Sequence, residues 1–353
     1  MKKYFVIIVV LFCSQINAQT LTGLVYDRAT KQPVADVYVY LDGTSMFNIT
    51  GNSGRFTLSA KQMINTKLVL SHLAYQTLII ENPFMLLPDT IYLETRLNKL
   101  NEITIQADPF SRRQKLAAFR QQFLGTTQAG KSCDILNEDD IQVWFNSATK
   151  TLFASSERPI EVINEYLGYR ILFTLVDFKA EYAGSTLNAN RINLIYYAGT
   201  TSFTDLEPDD IKIKQRRYNV YEVSSRNFFK SLAYDPLFGS DSLSTPTFRI
   251  YKDGSLIDIC SHFTIKDTLS LKTLHIYDTV SEKINPDNPL LRITVSNRDN
   301  ENPAALYYSR INFFTNMLLV DRYGNIDQID KVIFSGQMGL SRVGDMLPVE
   351  YEP

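Results

Sequence analysis

Residues 20–43 read TLTGLVYDRATKQPVADVYVYLDG, and this stretch decides the fold class. Apolar residues stand at every second position, first over Leu21–Val25 and again over Val37–Leu41, which is the period of a β-strand with one buried face. Between these runs, Asp27–Thr30 has the composition of a turn, and Asp42-Gly43 ends the second run. The stretch therefore predicts short strands joined by turns.

The same pattern continues as far as residue 107. Asn52-Ser53-Gly54 predicts a tight hairpin that leads into the next apolar alternation. Four further strands are predicted over Lys67–Ser71, Gln76–Ile80, Thr90–Leu93 and Glu102–Ile105. Because these strands follow one another at short intervals with no convincing helix, residues 19–107 are predicted to form an antiparallel Greek-key β-sandwich.

Several segments of this predicted sandwich resemble a known module. They are Thr22–Asp27, Lys31–Val34, Val37–Leu41, Gly43-Thr44, Gly54-Arg55-Phe56 and Leu100–Ile105. Together they resemble the carboxypeptidase regulatory-like domain, a transthyretin-like sandwich common in exported Bacteroidetes proteins. The resemblance implies the same sandwich here, with Gly51 and Ala74 as departures at two turns. In metallocarboxypeptidases a separate domain carries the zinc site, and the close His and Glu spacing of that site does not occur in this chain.

Residues 1–18, MKKYFVIIVVLFCSQINA, are predicted to be a signal peptide. Lys2 and Lys3 precede an apolar run of about ten residues, and the small Ala18 stands at the predicted cleavage site before Gln19. The apolar run is shorter than the roughly 20 residues that span a bilayer, and an uncleaved anchor is the alternative. Cleavage leaves 34 basic against 38 acidic residues and a net charge of -4. We expect export to the periplasm, the outer membrane or the cell surface, with no transmembrane helix after signal removal.

A helix and a second β-rich region follow the sandwich. Asp108-Pro109 is typical of a helix start, and apolar residues then recur at helical spacing up to Gly125, which predicts a linker helix over residues 108–125. The basic side chains of this helix are expected on a solvated face, or against an acidic lipid headgroup.

From residue 126 to residue 353, strand signals dominate. They predict a larger antiparallel β-rich α+β domain, with one amphipathic helix between Tyr218 and Leu232. Across both domains, five glycines are predicted to be structural turn positions: Gly23, Gly43, Gly54, Gly125 and Gly168.

This second region also resembles the long C-terminal region of exported Bacteroidetes proteins that begin with the regulatory-like module. The resemblance rests on Phe123-Leu124-Gly125, Cys133, Leu136–Ile141, Arg158-Pro159-Ile160, Asn164, Leu167-Gly168-Tyr169, Tyr197–Phe203 and Arg342–Pro348. It implies no activity for this region. Asn227 stands where relatives usually carry a histidine. Because asparagine does not titrate, the position is either a lost catalytic site or a packing and hydrogen-bonding position.

Composition and motifs exclude several classes of site. With 36 Lys and Arg against 38 Asp and Glu, the chain lacks the basic character expected of a nucleic-acid partner. No phosphate-binding loop, dinucleotide-binding turn or serine-nucleophile elbow is present. The scattered histidines (His72, His262, His275) make a structural zinc site improbable, and we expect no cofactor.

Three local features leave alternatives open. The acidic stretches Asp205–Asp210 and Asn297–Glu301 offer oxygen ligands for calcium, although surface turns are the more ordinary interpretation. Asp321–Asn325 has the same two alternatives, and a hairpin turn is the interpretation that we favour. Cys133 and Cys260 either pair in an oxidising compartment or stay as two buried free thiols.

No set of reactive groups stands out, so the sequence favours a non-catalytic cell-envelope binding or scaffold protein. Its partner is expected to be an envelope protein or a glycan. The alternatives are a secreted peptide or glycan hydrolase with a dispersed carboxylate pair, and an accessory component of an outer-membrane transport system. The 20 tyrosines are able to stack on sugars or to form a protein-binding patch. Packing within the sheets is the interpretation that we favour for most of them.

Overall fold

The computed structural model describes residues 19–60, 64, 66–96, 108–234, 248–268, 271–277, 289–297 and 308–353. Within these ranges the protein is mainly β, which confirms the predicted fold class. The chain divides into two compact units, residues 1–39 with 46–96 and residues 40–45 with 97–353. Ala18, the predicted strand over Glu102–Ile105 and most of the acidic stretch Asn297–Glu301 lie outside the described residues.

The first unit is built from short strands in two sheets. The strands are β1 (Gln19–Asp27), β2 (Tyr38–Leu41), β3 (Phe47–Ile49), β4 (Arg55–Ala60), β5 (Leu68–Ser71), β6 (Leu78–Ile80) and β7 (Thr90–Leu93). One sheet has the order β4-β1-β7 and the other β3-β2-β5-β6, and the end of β2 already belongs to the second unit. Strand β1 is antiparallel to β4 but parallel to β7, so the predicted purely antiparallel arrangement is wrong at that pair.

Two turn predictions in the first unit need correction. Gly23 is not at a turn: it lies within β1 opposite Phe56, and a Cβ there would stand 2.7 Å from the Phe56 ring. The glycine therefore makes room for a core side chain that is 1% exposed. The turn that ends at Gly54 (φ +70°) joins β3 to β4, which lie in different sheets, and so it does not close a hairpin.

The second unit contains the remaining strands and all the helices of the described ranges. Its strands are β8 (Cys133–Ile135), β9 (Ile141–Asn146), β10 (Thr151–Ser156), β11 (Ile160–Asn164), β12 (Tyr169–Tyr182), β13 (Ile192–Asp205), β14 (Phe248–Lys252), β15 (Ser255–Leu256), β16 (Phe263–Thr268), β17 (Leu271–Ile276), β18 (Leu291–Asn297), β19 (Tyr308–Phe313), β20 (Met317–Val320) and β21 (Val332–Gly336). The helices are α1 (Arg112–Leu124), α2 (Gln128–Lys131), α3 (Ile211–Glu222), α4 (Ser225–Tyr234) and α5 (Gln337–Leu340).

These strands form three sheets on two hydrophobic cores. A six-stranded sheet has the order β8-β11-β12-β10-β9, with β13 paired along β12, and its core includes α1. A five-stranded sheet (β15-β14-β18-β19-β21) and a three-stranded sheet (β16-β17-β20) share the second core with α4. The pairings between these named strands are antiparallel, as the sequence predicts for this region, whereas an isolated bridge between Thr44 and Ser202 is parallel.

Helix α1 begins later than predicted and belongs to the core of its unit. Ser111 is its N-cap and forms a capping box with Gln114, whereas the sequence pointed to Asp108. Phe119 and Phe123 are fully buried against the six-stranded sheet, so the helix is not a free linker. Lys115, expected on a solvated face, is only 9% exposed because its ammonium group pairs with the Asp108 carboxylate.

The helix predicted between Tyr218 and Leu232 is two helices. Helix α3 ends at Glu222 and α4 begins at Ser225. The break is made by Ser224, whose hydroxyl donates to the Tyr221 carbonyl and accepts from the Asn227 backbone N–H. In the part of the chain that the structure describes, no helix is long and apolar enough to cross a membrane.

Candidate functional site

The six-stranded sheet of the second unit has two unlike faces. Because side chains alternate along a strand, every second residue of each strand lies on the inner face, toward the core that contains α1. The other residues lie on the opposite face. Phe145 of β9, Phe178 of β12 and Tyr197 of β13 lie on the inner face, in the core that α1 completes. The opposite, outer face contains the candidate site.

Four side chains form one row across the outer face. Trp144 of β9 lies directly opposite Phe153 of β10, Phe153 opposite Lys179 of β12, and Lys179 opposite Tyr196 of β13. We call these four residues the outer-face row. Directly opposed side chains in an antiparallel sheet are about 5 Å apart at Cβ, so the four act as one surface.

The rings of the row pack against their neighbours and remain partly open to solvent. The Trp144 and Phe153 rings are nearly parallel, at 12°, with centroids 5.6 Å apart. Trp144 is 38% exposed and Tyr196 46%. The Lys179 Nζ lies 5.4 Å from the centre of the Tyr196 ring and 3.0 Å from an Asp177 carboxylate oxygen. That carboxylate raises the pKa of Lys179, so the ammonium group stays charged at neutral pH.

Polar side chains stand on both sides of the row. Gln142 and Ser155 pair on one side, and Asn146 and Glu181 lie in the next row on the other. Gln142 and Ser155 are exposed, while Asn146 and Glu181 are half-buried. Amide, hydroxyl and carboxylate groups thus surround the exposed rings, and they supply both donors and acceptors of hydrogen bonds.

The other end of the same face is covered within the second unit. The Tyr40 hydroxyl shares hydrogen bonds with the Thr174 and Thr200 hydroxyls, at 3.2 and 2.8 Å. The Gly43 N–H donates to the Thr201 carbonyl at 2.7 Å, with the glycine at φ +76°, as expected of a turn position. The segment 40–45 therefore occupies one part of the outer face and leaves the row open.

Gly168 belongs to a closed ion-pair cluster away from the row. It has φ +64°, and its carbonyl and that of Leu167 accept hydrogen bonds from the Arg217 guanidinium. The same guanidinium makes two hydrogen bonds of 2.8 and 2.7 Å to the Asp205 carboxylate and lies 4.0 Å above the Tyr169 ring. Asp205, a calcium candidate in the sequence, is therefore engaged by an arginine that is 4% exposed.

The last acidic residue of that stretch is also engaged. Asp210 is the N-cap of α3, and its carboxylate accepts hydrogen bonds from the Lys212 and Ile213 backbone N–H groups. Across the described ranges, no group of three or more His, Cys, Asp or Glu side chains is placed to hold a metal ion.

Several of the segments that carry the resemblance of the second region are far apart in the sequence but lie together in the structure, around residues 342–345. Gly125, at φ +95°, faces the side chain of Arg342. The Asn164 side-chain amide donates to the Gly344 carbonyl at 2.8 Å. The Thr127 hydroxyl and the Arg342 N–H donate to the Asp345 carboxylate. These contacts attach the segment 342–345 to the connection between α1 and α2 and to the end of β11.

The titratable groups in this cluster are poor candidates for nucleophiles. Burial raises the pKa of the Cys133 thiol to about 12, so that it is protonated at neutral pH. Burial also raises the pKa of Asp345 and of the Tyr197 hydroxyl.

Cys133 and Cys260 are both free thiols, and Cys260 is exposed, so the expectation of two buried thiols is wrong for Cys260.

Other residues singled out from the sequence have structural contacts. Asn227 donates its side-chain amide to the Glu222 carbonyl at the end of α3, which is a hydrogen-bonding position. Asp321–Asn325 forms a tight turn in which the Asp321 carboxylate accepts from the Tyr323 and Asn325 N–H groups. His275 lies in β17, and the His262 ring contacts the Tyr277 carbonyl across the strand pair.

Sequence reasoning missed the outer-face row. Strands β9 and β10 form a hairpin around Asn146–Thr149, and register counted back from that turn places Trp144 opposite Phe153. The signal for Tyr196 is weaker, because two bulges interrupt the register of β12 and β13.

The chain matches no family model and no curated protein.

Proposed function

We propose that this chain is an exported, non-catalytic cell-envelope protein of the carboxypeptidase regulatory-like class, which works by binding an envelope protein or a glycan. The binding surface in this proposal is the outer-face row. The observation that carries the proposal is the set of neighbouring aromatic rings on an open sheet face whose other side is a closed core.

The physical argument concerns what a partner gains from those rings. Burying one large apolar side chain stabilises a complex by about 1.5–3 kcal/mol. A partner would gain part of that free energy by covering Trp144 and Tyr196, because 38% and 46% of their surfaces are exposed in the free protein. Contiguous exposed apolar residues with a polar rim are characteristic of binding sites, whereas scattered ones are ordinary.

A hydrolase is the second candidate, and one observation favours it. Burial raises the pKa of the Asp321 and Asp345 carboxyl groups, as expected for a general acid. Both carboxylates nevertheless accept hydrogen bonds from the backbone of their own short turns, which occupies oxygens that a reacting group would need. A glycan or peptide release assay on the mature chain and on Asp345→Asn tests this candidate.

The binding proposal is tested with the whole mature chain, residues 19–353, and envelope fragments that contain membrane and cell wall. Retention by sedimented fragments is compared for the wild type and the variant Trp144→Ala/Tyr196→Ala. We expect apparent affinity to fall at least about tenfold, because both residues have the character of binding hot spots. Tyr218→Ala is the matched control, since Tyr218 is 42% exposed on α3, outside the row.

The result has a clear contrary outcome. If the double variant keeps its retention while its thermal unfolding matches that of the wild type, the row is not the binding surface. Equal losses for the double variant and for Tyr218→Ala would also contradict the proposal, because they would indicate unspecific adhesion of exposed tyrosines.

A further inference from the structure

We infer that the outer-face row binds an uncharged, extended β-linked glycan chain, an inference that rests on the proposed function and names its ligand. The row combines partly exposed aromatic rings with hydrogen-bonding groups at its borders. A pyranose ring has the complementary pattern, with C–H groups on its faces and hydroxyls around its edge. Aromatic faces carry partial negative charge, which attracts such C–H groups.

The dimensions of the open surface argue for a thin ligand. Four strands at about 4.8 Å spacing make the row about 14 Å long. Three successive rows on one face span about 13 Å along the strands, which gives an area of about 200 Å². A stable protein interface buries about 800 Å² on each partner. Because the segment 40–45 already covers the neighbouring part of the face, a folded protein has too little surface here.

The charges of the surface favour an uncharged chain. The Lys179 ammonium is paired with Asp177 at 3.0 Å, and Glu181 adds a further carboxylate in the adjacent row. A polyanionic glycan would meet this carboxylate without a free cation among the four residues of the row. Amide and hydroxyl groups, by contrast, find partners in Gln142 and Ser155. Asn146 offers its side-chain N–H groups, because its side-chain carbonyl already accepts from the Ala148 and Thr149 backbone N–H groups.

The straight course of the row selects the linkage. The row crosses four strands of one sheet in direct register, so its side chains follow a nearly straight line. A β-linked glucan or chitin chain is a flat ribbon that presents successive ring faces along such a line. An α-linked glucan coils and presents its ring faces in different directions.

Trp144 supplies a direct readout, because it is the only tryptophan in the chain. Cellohexaose and chitohexaose are titrated separately into the mature chain while the tryptophan emission is recorded. We expect a saturable change in emission with at least one of these two β-linked chains and a response at least about tenfold weaker with maltohexaose. The variant Tyr196→Ala keeps the tryptophan, and we expect about tenfold weaker binding from it.

Two further variants make the titration specific. Tyr196→Phe keeps the ring and is expected to bind as the wild type does, while Tyr218→Ala leaves the row intact and is expected to have no effect. An equal response to maltohexaose would overturn the assignment of a β-linked chain. Equal binding by Tyr196→Ala and wild type would overturn the assignment of the row as the glycan site.

The titration also separates this inference from the proposed function. If no hexasaccharide changes the emission but Trp144→Ala/Tyr196→Ala still abolishes retention by envelope fragments, the glycan is wrong and the binding role stands. If the emission does not change and retention is independent of the row, both are wrong. Retention that survives protease treatment of the fragments supports the glycan.

Discussion

Trp144 and Phe145 are neighbours in the chain and lie on opposite faces of the same sheet. Phe145 is 2% exposed and contacts the Phe110 ring edge-on, at 4.9 Å between centroids, in the core that α1 closes. Trp144 is 38% exposed and its ring lies against Phe153 on the open face. Residues of the same chemical type thus stabilise the fold on one face and remain partly exposed on the other.

The comparison teaches that composition does not identify a binding surface. A strand with large apolar residues at consecutive positions has an apolar side chain on each face. Whether a face becomes buried depends on which segments from elsewhere in the chain pack against it. Here α1 covers the inner face, whereas the segment 40–45 covers only one part of the outer face. The difference between the two faces is therefore decided by long-range packing.

The largest expected effect comes from removing the ring on the closed face. Phe145→Ala should lower the free energy of unfolding by about 3–5 kcal/mol, because it removes buried surface and leaves a cavity. Trp144→Ala should lower it by less, about 1–2 kcal/mol, since 38% of that side chain is already exposed to solvent. Chemical denaturation of both variants measures the contrast, and equal losses would show that the two faces do not differ as described.

A smaller effect is expected when a methyl group is added to the inner face. A Cβ on Gly199 of β13 would meet the Phe173 ring and the Thr174 carbonyl oxygen. Gly199→Ala should therefore destabilise the protein by about 1–3 kcal/mol through overpacking. Ala198→Ser is the matched control, because the neighbouring residue points to the outer face and should change stability by less than about 0.5 kcal/mol. A neutral Gly199→Ala would contradict the close packing of β13 on β12.

The smallest expected effect distinguishes a buried from an exposed carboxylate by the sign of its pH dependence. Burial raises the pKa of Asp345 in the folded state, so its contribution is complete below about pH 3.9, the unfolded value, and is lost as pH rises through the folded pKa. Asp345→Asn should remove this decline from the measured free energy of unfolding.

Asp210 provides the opposite case and serves as the control. Hydrogen bonds from the Ile213 and Lys212 backbone N–H groups lower its pKa, so its contribution is present above the unfolded value and is lost as pH falls through the folded pKa. Asp210→Asn should remove the part of the loss of stability at acidic pH that this carboxylate causes. Urea denaturation across the acidic range gives, for each position, the difference in free energy of unfolding between the wild type and the variant. If this difference changes with pH in the same direction at both positions, one of the two carboxylates is wrongly assigned.

The sequence predicts the strands well, because a period of two residues needs no knowledge of the partner strand. It also predicts α1, although the cap at Ser111 depends on a side-chain hydrogen bond to Gln114. The break between α3 and α4 is missed because apolar spacing continues across Ser224, whose hydroxyl interrupts the backbone. The pairing of β1 with β7 joins segments far apart in the chain and leaves no local signal.

The candidate site is harder to predict from the sequence, for a related reason. Alternation shows that Trp144 and Phe145 face opposite sides of β9, but it does not show which side α1 covers. The row also depends on register across four strands, and the bulges in β12 and β13 shift that register. Lys179 and Tyr196 become neighbours only through those shifts.

The two cysteines differ in a way that is useful at the bench. The Cys260 thiol is open to solvent, whereas Cys133 is shielded and holds its proton up to a pH of about 12. A maleimide dye or spin probe added at neutral pH should thus attach at one position of the folded chain 19–353, without any engineered substitution. Unlabelled Trp144 and a tag on Cys260 would then report on the same molecule through separate optical channels.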